Sequence, residues 1–143
     1  MKKLSVFIVS LILMFTMVSC GSGSDNDTNT NSQTSNITVT LDIDFPDNSE
    51  AQDVDNVKVN VPEKSSVLDV LTTYGEENNV DIILDEKSES PYVTSINNIK
   101  ATNDSGWVYE LNDEAVMEPA DQCTVQEGDK IDWSFETWSD DND

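Results

Sequence analysis

Hydrophobic and polar positions alternate strictly in the segment that follows the N-terminal quarter of the chain. From Ile37 to Phe45 every second residue is apolar, and the residues between them are Thr or Asp. This is the period of a strand with one buried side and one solvent-facing side. A second alternation covers 57–61 and ends at Pro62. Both segments are therefore predicted to be strands.

The apolar spacing then changes to that of a helix. Apolar residues recur at intervals that place them on one helix face; they are Val67, Leu68, Leu71 and Tyr74. Ser66 is a favourable N-cap, and Asp69 can complete a capping box three residues later. Gly75 and the pair Asn78-Asn79 are candidate stops. One helix is therefore predicted.

Shorter segments follow, and their patterns predict strands at 82–84, 92–96, 107–111, 122–126 and 130–137. Asn97-Asn98, Asn112-Asp113 and Glu127-Gly128-Asp129 lie between or after them, and such residues favour tight turns. One helix packed on a mostly antiparallel sheet is an α+β arrangement. We therefore predict one small α+β domain over 37–138, followed by an acidic tail at 139–143.

The N-terminus has the pattern of an export signal. Lys2 and Lys3 precede an apolar run at 4–18 that is shorter than the roughly 20 residues of a membrane-spanning helix. The run ends in Met-Val-Ser-Cys-Gly, which resembles the cleavage box of bacterial lipoproteins. The resemblance implies a signal peptide at 1–19, acyl chains on Cys20, and anchoring to the extracytoplasmic side of a bacterial cell membrane. An ordinary cleaved signal is the alternative.

The residues after Cys20 are polar as far as Asn36 and include no apolar side chain after the cysteine. Such a segment cannot bury apolar surface, so 20–36 is predicted to be a disordered tether. The tether would hold the domain away from the membrane surface.

Composition narrows the possible functions. The chain has 29 acidic residues, seven lysines, no arginine and no histidine, for a net charge of −22. Without histidine there is no Ser-His-Asp triad and no imidazole metal ligand. So acidic a chain is repelled by nucleic acid. We therefore expect a binding protein that is not an enzyme and has no nucleic-acid partner.

Several motifs resemble the transcobalamin-like C-terminal domain, a family found on bacterial surface proteins and in the vertebrate cobalamin carriers. They are Ser-Gly-Trp-Val-Tyr-Glu-Leu-Asn at 105–112, Gly-Asp-Lys-Ile-Asp-Trp at 128–133, Val-Pro before the predicted helix at 61–62, and Tyr-Val-Thr-Ser-Ile-Asn at 92–97. The resemblance implies a small β-grasp-like fold. In the vertebrate carriers cobalamin lies between this domain and a helical one.

The candidate ligand-binding residues are polar or aromatic and lie mostly in these motifs: Tyr92, Asn97, Trp107, Tyr109, Asn112 and Trp138. Trp107 and Tyr109 are also spaced as core residues, and a core role is the alternative for them. Trp138 follows the last alternating strand and is therefore expected to be exposed.

Clustered carboxylates offer a second candidate site. Asp42, Asp44 and Asp47 could supply the oxygen ligands that Ca²⁺ prefers, although they do not match the EF-hand loop. Acids on the wet side of a strand are more often plain solvated surface.

Three functional hypotheses follow. The first is a lipid-anchored surface protein that binds a small ligand or a partner protein, with a cobalamin-type ligand as the specific candidate. The second is a Ca²⁺-binding surface domain. The third is a protein–protein interaction module with no small ligand.

Overall fold

Eight strands and one helix form residues 35–138, the part of the chain that the computed structural model describes. In chain order they are β1 (Asn36–Asp44), β2 (Val54–Pro62), α1 (Val67–Asn78), β3 (Ile82–Asp85), β4 (Tyr92–Ile96), β5 (Ile99–Lys100), β6 (Ser105–Leu111), β7 (Glu114–Ala115) and β8 (Lys130–Thr137). All of them lie in the second of the two units into which the chain divides, Met1–Asn31 and Ser32–Asp143.

Several predictions fall outside the described residues: the signal peptide 1–19, Cys20, the tether 20–36 except its last two residues, and the tail 139–143. No helix within residues 35–138 has the length and apolar character needed to cross a membrane.

The strands form two sheets rather than the single sheet predicted. The larger has the order β2-β1-β8-β6-β7, and the smaller has the order β3-β4-β5. The β1–β8 pair is parallel, and every other pair is antiparallel. The first and last strands along the chain, β1 and β8, lie side by side in the middle of the large sheet. The α+β class is confirmed.

Strand β1 is buried on both sides, so the predicted solvent-facing side is wrong at its middle. Thr40 and Asp42 are only 7% and 8% exposed. Lys58 on β2 donates a hydrogen bond from Nζ to Thr40 Oγ1, and Lys130 on β8 lies with Nζ 2.9 Å from Asp42 Oδ2. A central strand has neighbours on both edges, and their long side chains cover its polar positions.

Helix α1 begins as predicted. Ser66 Oγ accepts a hydrogen bond from the Asp69 backbone N–H at 3.1 Å, and Asp69 Oδ2 accepts one from the Ser66 N–H at 2.7 Å. The helix ends at Asn79, which adopts the left-handed conformation. Gly75, a candidate stop, lies inside the helix instead of ending it. A Cβ at this position would come within 2.7 Å of Ile82 Cγ1. Glycine lets β3 approach the helix.

The strand predicted at 122–126 is wrong, since only an isolated bridge between Thr124 and Ser66 forms there. The segment's backbone instead bonds to the start of α1. Val67 N–H donates to the Cys123 carbonyl at 2.9 Å, and Leu68 N–H donates to the Ala120 carbonyl at 2.9 Å. The first N–H groups of a helix lack partners within it, and this segment supplies them. Cys123 is a buried free thiol.

The core lies between α1 and the inner faces of the two sheets. Leu41 from β1, Leu71 from α1, Ile96 from β4 and Ile131 from β8 are fully buried there. Truncating a leucine such as Leu71 to alanine in a core of this kind costs about 2–5 kcal/mol. The core therefore fixes the small sheet against the large one, and with it the gap between β4 and β6.

Candidate ligand-binding site

An open pocket of 380 Å³ lies where β4 begins, beside the middle of β6 and the loop that follows β7. Tyr92, Trp107 and Tyr109, three of the six predicted ligand-binding residues, line it together with Trp133 from β8. Natural small-molecule sites have volumes of about 300–1,000 Å³ and mostly apolar walls with few polar groups. We name it the aromatic pocket.

Trp107 forms a rigid part of the wall. Its ring meets Phe45 and Phe135 edge-on, with centroid distances of 5.5 and 5.3 Å. Its Nε1–H donates a hydrogen bond of 2.9 Å to the Ile99 carbonyl. The residue is 9% exposed. Both the core role and the pocket position are therefore found for this one side chain, and its orientation is set before any ligand arrives.

Tyr109 ties the loop after β7 to the sheet. Its hydroxyl donates a hydrogen bond of 2.6 Å to the backbone carbonyl of Glu118. Burial raises the pKa of Tyr109 well above its usual range. The hydroxyl thus stays protonated and remains a donor at every physiological pH. The far wall of the pocket depends on this bond.

Tyr92 stands at the mouth of the pocket and is 52% exposed. Its hydroxyl donates a hydrogen bond of 3.1 Å to Asp85 Oδ2 on β3. This bond to a carboxylate, together with its charge, raises the pKa of Tyr92. The bond from the Lys87 backbone N–H, followed by that from Tyr92, lowers the pKa of Asp85. The ring is held at one end and open to solvent along its face.

Trp133 contributes a buried, unsatisfied donor. The residue is 3% exposed, and the centroid of its ring lies 5.3 Å from that of the Tyr109 ring. Its Nε1–H finds no hydrogen-bond partner among the described residues. An unpaired buried polar group costs about 1–3 kcal/mol.

The loop after β7 supplies the part of the pocket that sequence reasoning missed. Val116, Met117, Glu118 and Pro119 line it. Met117 is 98% exposed, which is unusual for a large apolar side chain. The segment has no hydrophobic periodicity, so no strand or helix was predicted there. The only signal in the sequence was an apolar pair directly before an acid and a proline.

Asn97 and Asn112 lie away from the aromatic pocket, in two-residue turns. Their φ values are 48° and 56°, and the residues after them, Asn98 and Asp113, are also positive. Two positive φ values in succession are what a hairpin turn of this length requires. Asn112 also accepts a hydrogen bond from the Lys130 N–H at 3.0 Å. Asn97 borders a separate surface pocket with Ile99.

Trp138 is 48% exposed, as predicted, and does not line the aromatic pocket. Its ring covers Gly106, where a Cβ would approach Cη2 within 2.8 Å. Its Nε1–H donates to the Asn103 carbonyl at 3.0 Å. The side chain therefore seals the end of β6.

The predicted metal ligands are distributed over different surroundings. Asp42 is buried beside Lys130, whereas Asp44 and Asp47 are exposed. Burial alone would raise the pKa of Asp42, but hydrogen bonds from Lys130 and the Asn56 N–H outweigh it and lower the pKa. Within residues 35–138 no group of three or more acidic or cysteine side chains is arranged to hold a metal ion.

Lys130 is the centre of this charged face. Its Nζ lies 2.9 Å from Asp42 and 3.3 Å from Asp132, which sit opposite each other on β1 and β8. The hydrogen bonds to Asp42 and then Asp132 raise the pKa of Lys130 far above its usual value. Burial, followed by the charges of Asp132 and Asp53, raises the pKa of Asp44. One lysine thus contacts two carboxylates whose combined charge exceeds its own, and no cation among the described residues pairs with Asp44.

Two solved structures similar to the chain give the fold a context. The crystal structure of haptocorrin in complex with Cbi aligns with 74% of this chain at 20% identity and a TM-score of 0.65. The match covers 26% of the haptocorrin chain, so the present chain spans about a quarter of that protein's length. The transcobalamin-like fold implied by the sequence motifs is therefore confirmed as a fold.

A second match is the crystal structure of a suggested metal binding protein from Ruminococcus gnavus ATCC 29149. It aligns over 73% of this chain and 98% of its own, at 20% identity and a TM-score of 0.46. The search of curated proteins gave no match. The profile of the family described as Domain of unknown function (DUF4430) matches residues 64–137, more than half of the chain. The chain belongs to this DUF4430 family.

Proposed function

We propose that the chain is a lipid-anchored protein of the bacterial cell surface, with no enzymatic activity, that binds a small ligand in the aromatic pocket. A cobalamin-type ligand is the specific candidate. The observation that carries the proposal is the convergence of Tyr92, Trp107 and Tyr109 on one open pocket. We also propose that the fold is of the β-grasp type.

The fold shared with haptocorrin supports the choice of ligand, because that protein was crystallised with Cbi. The pocket volume of 380 Å³ suits a small ligand or one portion of a larger one. An open site that encloses only part of a ligand buries little surface, so binding in the micromolar to millimolar range is expected. A partner protein covering the remainder of the ligand would increase the affinity.

Cobalamin binding is tested by titrating the purified full chain and following tryptophan emission. We expect saturable quenching, because Trp107 and Trp133 line the pocket. Tyr92→Ala removes an exposed ring at its mouth and should weaken binding by at least about tenfold, or 1.4 kcal/mol. The matched control is Tyr74→Phe, in helix α1, which should bind the ligand as the wild type does. An absence of saturation up to millimolar cobalamin contradicts the cobalamin assignment.

The membrane anchor rests on the sequence pattern around Cys20. Growing a bacterial host with an alkyne-labelled fatty acid should label the full chain, and Cys20→Ala should abolish the label and release the protein from the membrane fraction. Cys123→Ala is the control and should keep the label. More than one acyl chain gives stable attachment where a single chain is marginal. Label that persists in Cys20→Ala contradicts the anchor.

Calcium binding is the second candidate, and one observation favours it. Nearby carboxylates, including Asp132 and Asp53, add to burial in raising the pKa of Asp44, so a cation there would relieve repulsion. Calcium should then raise the melting temperature of the full chain by mass action, and Asp44→Asn should reduce that shift. An equal shift with magnesium or plain salt indicates charge screening and contradicts a specific site.

A further inference from the structure

The charge around the aromatic pocket has one sign. Glu118 is the one charged residue that lines it, and no lysine does. The whole chain carries a net charge of −22 with no arginine. Low-dielectric walls concentrate such a field in a cleft, raising the local concentration of cations and lowering that of anions. The electrostatics of the pocket therefore favour a positively charged ligand group over a negatively charged one.

The chemistry of the walls restricts which cation can enter. A small, strongly hydrated ion would need several oxygen ligands to replace its water. Glu118 is the one acidic residue of the lining, and its backbone carbonyl already accepts the Tyr109 hydroxyl. An ion with apolar substituents loses far less hydration on entering an apolar site than a bare ion does.

Aromatic rings are the natural partners of such an ion. Tyr92, Trp107, Tyr109 and Trp133 line a single pocket. Alkylated ammonium groups bind against aromatic rings through the ring quadrupole, with about 0.5–2 kcal/mol for each good contact. Tyr92 is accessible at the mouth, and Trp107 is fixed by its bond to the Ile99 carbonyl. The wall of the aromatic pocket that contains Trp107 is therefore fixed before a ligand binds.

We infer that the aromatic pocket binds an alkylated ammonium group, of the kind a choline-like compound carries, with the positive charge beside Glu118 and the alkyl substituents against the aromatic rings. The inference rests on the proposed ligand-binding role of this pocket, and it names a ligand class other than the cobalamin-type candidate.

The test compares choline with 3,3-dimethylbutanol, which has the same shape without the charge. Binding of each to the full chain is measured by tryptophan emission and by ligand-observed NMR. We expect choline to bind at least about tenfold more tightly than the neutral compound, which corresponds to 1.4 kcal/mol. The preference should shrink at high salt, because the field of the chain is then screened.

Variants separate the contributions of the ring and the charge. Tyr92→Phe keeps the ring and should retain choline binding, whereas Tyr92→Leu should weaken it by about three- to tenfold. Glu118→Gln should reduce the preference for choline over 3,3-dimethylbutanol. Glu76→Gln, on helix α1 away from the pocket, is the matched control and should leave the preference unchanged.

The outcomes separate this inference from the broader proposal. Equal binding of choline and 3,3-dimethylbutanol overturns the ammonium assignment and leaves a ligand pocket. Binding of cobalamin with no binding of choline also overturns it. Failure of all three compounds overturns both the assignment and the proposed function.

Discussion

The two sides of strand β8 differ in whether their buried polar groups have hydrogen-bond partners. Lys130 and Asp132 point to the charged face, where each buried carboxylate has a cation or a backbone N–H as partner. Trp133, on the other side of the strand, keeps an unpaired Nε1–H and faces an open pocket. The central carboxylates of the charged face are thus paired, whereas the Trp133 Nε1–H beside the aromatic pocket has no partner among the described residues.

The difference shows where a ligand adds most. On the charged face, a new cation would compete with Lys130, which already contacts two carboxylates. In the pocket, Met117 and Tyr92 expose apolar surface that a ligand can cover. Apolar burial contributes about 25 cal/mol per Å². Acidity dominates the composition of the chain, but the aromatic pocket is the better candidate for function.

Among the changes that distinguish these two regions, the largest effect on stability is expected when Lys130 is removed from the charged face. Lys130→Met leaves Asp42 and Asp132 facing each other without a cation. Hydrogen bonds to charged groups contribute about 1.5–3 kcal/mol, and partial exposure of the lysine reduces this, so we expect a loss of about 1–2 kcal/mol in the free energy of unfolding. Urea denaturation at pH 7 measures it.

Lys100→Met is the control for that change, because Lys100 is an exposed lysine on β5. It should alter the free energy of unfolding by less than about 0.5 kcal/mol. Equal losses in the two variants would mean that Lys130 acts only through net charge.

The next effect is expected at the pocket. Tyr109→Phe removes the hydroxyl that holds the Glu118 carbonyl, which should cost about 1 kcal/mol of stability. It should also speed hydrogen exchange in the loop 116–120, as measured by mass spectrometry. Tyr74→Phe serves as the control, and unchanged exchange in Tyr109→Phe would show that the loop does not depend on this bond.

A smaller effect follows from the lowered pKa of Asp42. Because its folded value lies below the ordinary 3.8, its stabilising contribution is present above that pH and is lost as the pH falls through the folded value. Asp42→Asn should therefore destabilise the protein at pH 7, and the difference from wild type should shrink below about pH 4. Thermal melts at several pH values measure this, with exposed Asp47→Asn as the control. A difference that stays constant with pH contradicts the assignment.

The smallest effect is expected at Asp44, whose pKa is raised by burial and by the charges of Asp132 and Asp53. A raised pKa means that the ionised carboxylate is unfavourable in the folded protein, so Asp44→Asn should stabilise it at pH 7 by about 0.3 kcal/mol. The gain should disappear in 1 M salt. A loss of stability in low salt would show that Asp44 makes a favourable contact instead.

The features that the sequence predicted well are local ones. The capping box of Ser66 with Asp69 depends on residues three apart, and the turns at Asn97 and Asn112 depend on residues that tolerate positive φ. The exposure of Trp138 followed from its place beyond the last alternating strand. Each of these depends on neighbours in the chain, so the pattern alone contains them.

The features that the sequence did not predict depend on distant partners. The segment at 122–126 alternates like a strand, but the Cys123 carbonyl accepts a hydrogen bond from Val67 at the start of α1, more than 50 residues earlier. The alternation in β1 predicts that Asp42 is a surface acid, whereas in the fold β8 places Lys130 beside it. The loop containing Met117 has no period at all, so its place in the pocket could come only from the fold.

The most direct test of the central claim uses the three tryptophans of the chain as separate reporters. With 5-fluorotryptophan incorporated, the full chain should give three ¹⁹F resonances, assigned by Trp138→Phe and by Trp107→Phe. Separate titrations with cobalamin and with choline are followed at each resonance. Binding in the aromatic pocket predicts that Trp107 and Trp133 shift while Trp138 does not. If only Trp138 shifts, or if none shifts with either compound, the account is contradicted.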